Sequence, residues 1–254
     1  MRIVAVDWSG RLRGAEEFIW MAEVDGGRLV SLENGRNREE LIEYLVTSAA
    51  DRPRTTVGLD FAFSFPHWWC AERDWRDASA VWDAMAADGE RFLDECQAPF
   101  WGRPGVPNPH TTDRRYRQTE LIDAKGAKSV FQIGGAGAVG TGSVRGMPHL
   151  RTLASAGFDV WPFGPGGWPR VVEIYPRALT GTVNKGRWRA RRNHLFRNFA
   201  SQPAELLERA AGSEDAFDAT VSALVMAQHP DRLSSLSPTS DPVLVIEGKI
   251  WRPG

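Results

Sequence analysis

Arg2–Gly10, R-I-V-A-V-D-W-S-G, opens the chain with an apolar run that stops on a charge. Ile3, Val4, Ala5 and Val6 have the near-continuous hydrophobicity of a central strand covered on both faces. Asp7 falls at the strand's carboxyl end, where open α/β sheets bind their ligands. A carboxylate there is costly to desolvate unless it is paired or holds a cation. The plainer reading is an Asp that starts the Ser9-Gly10 turn. Other carboxylates delivered to the same edge would separate the two.

The next segments supply them. Glu17–Val24 and Arg28–Leu32 read as strands around Asp25-Gly26-Gly27, a strong hairpin signal. Arg38–Ala50 has Leu41, Ile42, Leu45 and Val46 on one helical face. Thr55–Phe61, T-T-V-G-L-D-F, is a second buried strand and carries Asp60 near its end. The order β-β-β-α-β thus has acids at the ends of its first and fourth strands. An amphipathic helix is expected over Ala78–Cys96. Gln97–Gly146, rich in Pro and Gly and with little periodicity, reads as a substrate-facing insertion. A helix over Pro148–Ala156, strands over Phe158–Phe163 and Arg170–Tyr175, helices over Lys185–Phe199 and Glu214–Gln228, and a hairpin within Val243–Trp251 complete the expectation. Residues 1–254 form one α/β domain in this reading.

Composition narrows the class. With 254 residues the chain is long enough to bury a sizeable core, and 31 basic against 32 acidic side chains argue against a generally basic nucleic-acid coat. Cys70 and Cys96 have no metal-ligand spacing and read as reduced thiols of a cytoplasmic protein. No apolar run approaches membrane-spanning length, so no membrane partner is expected.

Glu214-Asp215-Ala216-Phe217-Asp218-Ala219 opens the last long helix. Asp215 and Asp218, three apart, share a face with β-carbons roughly 5–6 Å apart. Acids also suit a helix's first turn, with Ser213 as N-cap. Phe217, Val221 and Leu224 commit the helix to the core, however, and leave Asp218 near the buried side. Asp7, Asp60, Asp218 and either Asp215 or Glu173 become candidates for one centre. Clustered carboxylates need compensating charge, and oxygen-only ligands suit Mg2+ or Mn2+. Two such ions, about 3.5–4 Å apart, can activate water and stabilise the leaving oxygen of a phosphoryl displacement.

The ordered set V-A-V-D-W-S-G, G-L-D-F-A-F-S-F-P, V-E-I-Y-P-R-A and E-D-A-F-D-A-T-V-S-A-L-V-M-A, with the terminal E-G-K-I-W-R-P, resembles domain-of-unknown-function family 429 over nearly the whole chain. Those proteins are regarded as predicted nucleases of the ribonuclease-H-like fold. The resemblance implies a mixed five-stranded sheet in the order 3-2-1-4-5, flanked by helices. It matches Asp7 to the first-strand acid that bridges metals and Asp60 to the fourth-strand acid. Asp215 and Asp218 resemble the helical acid pair of Holliday-junction resolvases. No acid in Arg38–Ala50 clearly matches the first-helix Glu of ribonuclease H, and Glu173 is an additional acid.

Two basic stretches suit a phosphodiester partner. Lys185, Arg187, Arg189, Arg191 and Arg192 surround Trp188, a combination that serves phosphate contact and base stacking. Arg114, Arg115 and Arg117 form a second group. Solvated helix faces are the bland alternative. Gly135–Gly140 fits G-x-G-x-x-G, but the interruptions at Gly142, Gly146 and Pro148 favour a flexible substrate loop over a dinucleotide site. The sequence therefore points to a metal-dependent phosphodiester hydrolase, a nuclease. Its rivals are a nucleotide-binding phosphotransferase of the actin-like branch and a non-catalytic nucleic-acid-binding module.

Overall fold

The computed structural model describes residues 1–124 and 126–254. β1 (Arg2–Asp7) lies inside a six-stranded sheet. Val4 and Val6 point to one core and Ile3 and Ala5 to the other, so both faces of the strand are buried. That is why no polar residue interrupts positions 3 to 6. β2 (Trp20–Asp25) and β3 (Arg28–Glu33) extend the sheet as an antiparallel meander. Arg2, at the foot of β1, forms a buried ion pair with Glu23 of β2.

α1 (Arg38–Asp51) starts at a capping box. The Asn37 side chain accepts from the Glu40 N–H, and the Glu40 carboxylate accepts from the Asn37 N–H. Its buried face of Leu41, Ile42, Leu45 and Ala49 covers the first core. β4 (Thr55–Leu59) then runs parallel to β1. After it come α2 (His67–Ala71), α3 (Ala78–Glu95), α4 (Gln118–Ile122) and α5 (Val139–Ser155), followed by β5 (Asp159–Val160) and β6 (Arg170–Glu173). α6 (Pro176–Thr180), α7 (Trp188–Asn198), α8 (Ala204–Ala211) and α9 (Glu214–Ala227) precede α10 (Pro230–Ser234) and α11 (Leu244–Glu247). α7, α8 and α9 contribute Leu195, Leu207 and Phe217 to the second core, on the opposite face of the sheet from α1, α3 and α5.

The sheet order is β3-β2-β1-β4-β6-β5, so the expected five strands become six. β6 takes the inner place, parallel to β4 and to the two-residue edge strand β5. Buried Asp159 of β5 accepts from the Arg170 guanidinium of β6 at 2.8 Å, which ties the edge to its neighbour.

Segment 97–146, read as a substrate-facing insertion, is anchored by Phe100, Trp101, Val130 and Phe131, which pack into the first core around Trp69. Two local expectations are corrected. Gly142 and Gly146 lie inside α5, which begins at Val139 and runs through Pro148. A Cβ at Gly146 would sit 2.7 Å from the Phe61 ring, so the glycine serves close packing instead of breaking the helix. In place of the tail hairpin, α11 is followed by a parallel bridge from Ile250 to Glu173.

Candidate functional site

Parallel pairing sends the carboxyl ends of β1, β4 and β6 to one edge of the sheet. Asp60, immediately after β4, donates its backbone N–H to the Val6 carbonyl at 3.1 Å and so stands beside Asp7. α9 lies across β1 and β2 and drives Phe217, Val221 and Leu224 into the second core. Gly58 of β4 permits this approach, since a Cβ there would come within 2.7 Å of Met226 Sδ. Ser213 caps the helix, its hydroxyl accepting from the Ala216 N–H at 3.0 Å. The first turns of α9 thereby bring Asp218, 7 % exposed, to the edge that holds Asp7 and Asp60.

Electrostatics ties these residues together. Burial lifts the Asp7 carboxyl well above the ordinary carboxylate range, and the charges of Asp60, Asp218 and Asp215 lift it further against Lys185. Asp60 is raised well above that range too, by burial and then Asp218, with Lys185 opposing and Glu173 and Asp215 adding. Burial pushes Asp218 up to about 6 although Lys185 pulls it down. Asp215 is raised by burial and by Glu214, with Arg11 and Lys185 opposing. Four acids thus share a centre in which Lys185 is the cation acting on all of them.

The Lys185 ammonium donates to Asp218 Oδ2, while Asp218 Oδ1 is buried with no hydrogen-bond partner among the described residues. Lys185 is therefore part of the acidic centre, apart from the exposed Arg187 and Arg189 of the same basic stretch. Among the described residues no group of three His, Cys, Asp or Glu side chains is arranged to hold a metal ion. The donor chemistry nevertheless suits a hard cation: carboxylate oxygens only, mutually repelling, one of them buried and unpaired.

Glu173 stands beside this centre instead of joining it. Arg117 donates to both its oxygens, at 2.8 and 2.5 Å, and the Phe63 N–H donates at 3.0 Å. Arg117 is 1 % exposed and also holds Glu120, so it is removed from the nucleic-acid surface. Arg191 is likewise buried, donating to the carbonyls of Lys185, Ala211 and Gly212. Arg192 is paired with Glu208, and Arg114 with Glu72 above Trp68. Arg115 is half-buried and donates to the His110 carbonyl. Arg187, Trp188 and Arg189 remain exposed.

A cavity of about 250 Å³ opens against Asp60, walled by Trp8, Phe61, Tyr175, Lys128 and the Gly137–Val139 backbone at the start of α5. Tyr175 is a site residue that sequence reading passed over. Burial and the Asp60 charge raise its hydroxyl pKa. The available signal was its position two residues beyond Glu173, just past the end of β6 and before Pro176 opens α6.

This is an α/β protein with a mixed sheet and a carboxylate centre at the carboxyl ends of parallel strands. Comparison of the chain with protein-family models, with curated proteins and with solved structures returns no match.

The charge balance gives a measurable consequence. A carboxyl whose folded pKa is raised favours folding below its unfolded pKa and loses that contribution as pH rises through the folded value. Asp60→Asn is expected to raise the Tm of the metal-free protein, by a larger margin at pH 8 than at pH 5. Each kcal/mol relieved corresponds to roughly 2–4 °C for a chain of this size. Thermal melts of both proteins across that range test it, and a gain that shrinks with rising pH would contradict the repulsion.

Proposed function

We propose that this protein is a metal-dependent phosphodiester hydrolase of ribonuclease-H-like fold, a nuclease related to domain-of-unknown-function family 429. The observation that carries the reading is the buried, unpaired Asp218 oxygen in a centre where Asp7, Asp60 and Asp215 repel one another and Lys185 is the shared cation. The sequence motifs support the same class, and the β3-β2-β1-β4 part of the sheet has the strand order that class implies.

Asp7 and Asp60 would hold Mg2+ or Mn2+, with Asp218 and Asp215 shaping the field around it. A bound divalent cation supplies charge neutralisation for the attacking and leaving oxygens of an in-line displacement. The chain's own residues do the positioning. Exposed Arg187 and Arg189 attract the phosphate backbone, and Trp188 offers a stacking face. Trp8, Phe61 and Tyr175 offer aromatic faces to the group next to the scissile phosphate in a cavity that also holds Asp60 and Lys128.

The test joins binding to turnover. Mn2+ at a hundred times its Kd is expected to stabilise the fold by about 2.7 kcal/mol. Single- and double-stranded DNA and RNA oligonucleotides are expected to include one that is cleaved with Mn2+ and spared with chelator. No thermal shift together with no cleavage of any of them rejects the assignment.

A further inference from the structure

Lys185 lies in the connection between α6 and α7, three residues before the exposed Trp188. Its neighbours Gly186 and Arg187 are solvent-exposed, yet its own side chain is only 19 % exposed and ends on Asp218. The backbone that carries it is clamped. Buried Arg191 donates to the Lys185 carbonyl and, with its other nitrogens, to the carbonyls of Ala211 and Gly212. Gly212 immediately precedes Ser213, the N-cap of α9. One guanidinium thus fastens the lysine to the start of the helix that presents Asp218. Gly186 also packs near Glu214, since a Cβ there would lie 3.7 Å from its carboxylate. A surface lysine that happened to fold inward would need no such support.

We propose that Lys185 is a resident cation of the carboxylate centre, taking by its ammonium the place of a second divalent ion, so that the centre binds one ion, on Asp7 and Asp60. The proposal rests on the reading of this centre as a cation site and fixes its stoichiometry at one, where the sequence pattern alone suggests two. The charge argument is direct. Two divalent ions beside an ammonium would bring five positive charges to four carboxylates, whereas one ion and the ammonium bring three. Asp218 keeps Oδ2 for the lysine and leaves only its unpaired Oδ1 beside Asp7 and Asp60 at the strand ends, one oxygen where a second ion would need more.

Mn2+ stoichiometry, read at pH 7.5 from the free-ion electron paramagnetic resonance signal and by calorimetry, tests this without any activity. Wild type and Lys185→Arg are expected to bind one ion per chain, and Lys185→Met two. The double variant Lys185→Met/Asp218→Asn removes the buried charge imbalance and covers the case in which the single variant does not fold. It is expected to bind one ion. Two ions on wild type, one ion on folded Lys185→Met, or none on the double variant while wild type binds overturns the proposal but leaves the cation centre standing. No Mn2+ on wild type overturns the cation centre itself, and the proposal with it.

Discussion

Asp7→Asn is expected to abolish Mn2+-dependent cleavage while leaving the protein folded, with a metal-free Tm at or above that of wild type. Replacements among the outer partners of a metal ligand already cost about 10–100-fold, so loss of a direct ligand is expected to exceed about 100-fold. The fold tolerates the change for a physical reason. Burial and three neighbouring acids already push the Asp7 carboxyl well above its usual range, so ionised Asp7 is a burden on the metal-free fold. Asparagine keeps the shape, fills the same end of β1 and removes the repulsion felt by Asp60 and Asp218. Oligonucleotide cleavage, circular dichroism and thermal melts together settle the matter. Cleavage at the wild-type rate would exclude Asp7 from the chemistry, and a lowered Tm would contradict the electrostatics. The same variant should lose the Mn2+-induced thermal shift, which separates a failure to bind the ion from a failure to bind substrate.

Much of the scaffold for this experiment is written in residue patterns. Ile3–Val6 and Thr55–Leu59 read as buried strands because they are covered on both faces, and their trailing acids are conspicuous against that background. Phe217, Val221 and Leu224 likewise announce which side of their helix meets the sheet. What escaped sequence reading depends on long-range pairing. Nothing local distinguishes Lys185 or Arg191 from Arg187 and Arg189, yet the first two turn inward to Asp218 and to backbone carbonyls. Gly142, Gly146 and Pro148 look like helix breakers, but all three lie inside α5, where Gly146 is a contact surface for Phe61. Phe158–Phe163 and Arg170–Tyr175 both read as strands, but the five-stranded order that the resemblance implies has no edge place for β5, which pairs over only two residues and is held there by Asp159 with Arg170. Charge content reveals that a segment is basic; it does not reveal which of its cations face solvent.

Arg117 shows the consequence most sharply, and Arg117→Leu is expected to be among the most destabilising single changes in the chain. The guanidinium bridges Glu120 and Glu173, both nearly inaccessible, and also donates to the Glu247 carbonyl at 3.0 Å. Burial disfavours its charge, but Glu173 and Glu120 outweigh that and raise its pKa. Burial in turn lifts Glu120 to about 7 despite the arginine beside it. Removing one partner of a buried ion pair costs about 3–5 kcal/mol, because the remaining charge stays desolvated without compensation. That is a large share of the roughly 5–15 kcal/mol that holds a typical domain folded. The expected fall in Tm is on the order of 10 °C. Arg117→Lys should recover little, since one ammonium cannot reproduce two forked contacts. Arg187→Ala, by contrast, should leave Tm unchanged while weakening nucleic-acid binding in a salt-sensitive way. Adding Glu120→Gln and Glu173→Gln to Arg117→Leu should restore part of the lost stability by removing the stranded charges. Glu173 also acts on Asp60, so freeing its carboxylate in Arg117→Leu should drive the Asp60 pKa higher, and neutralising it should reverse that shift. A Tm for Arg117→Leu within 2 °C of wild type, as estimated from the cost of exposed ion pairs of about 0–1 kcal/mol, would place Arg117 at the surface after all.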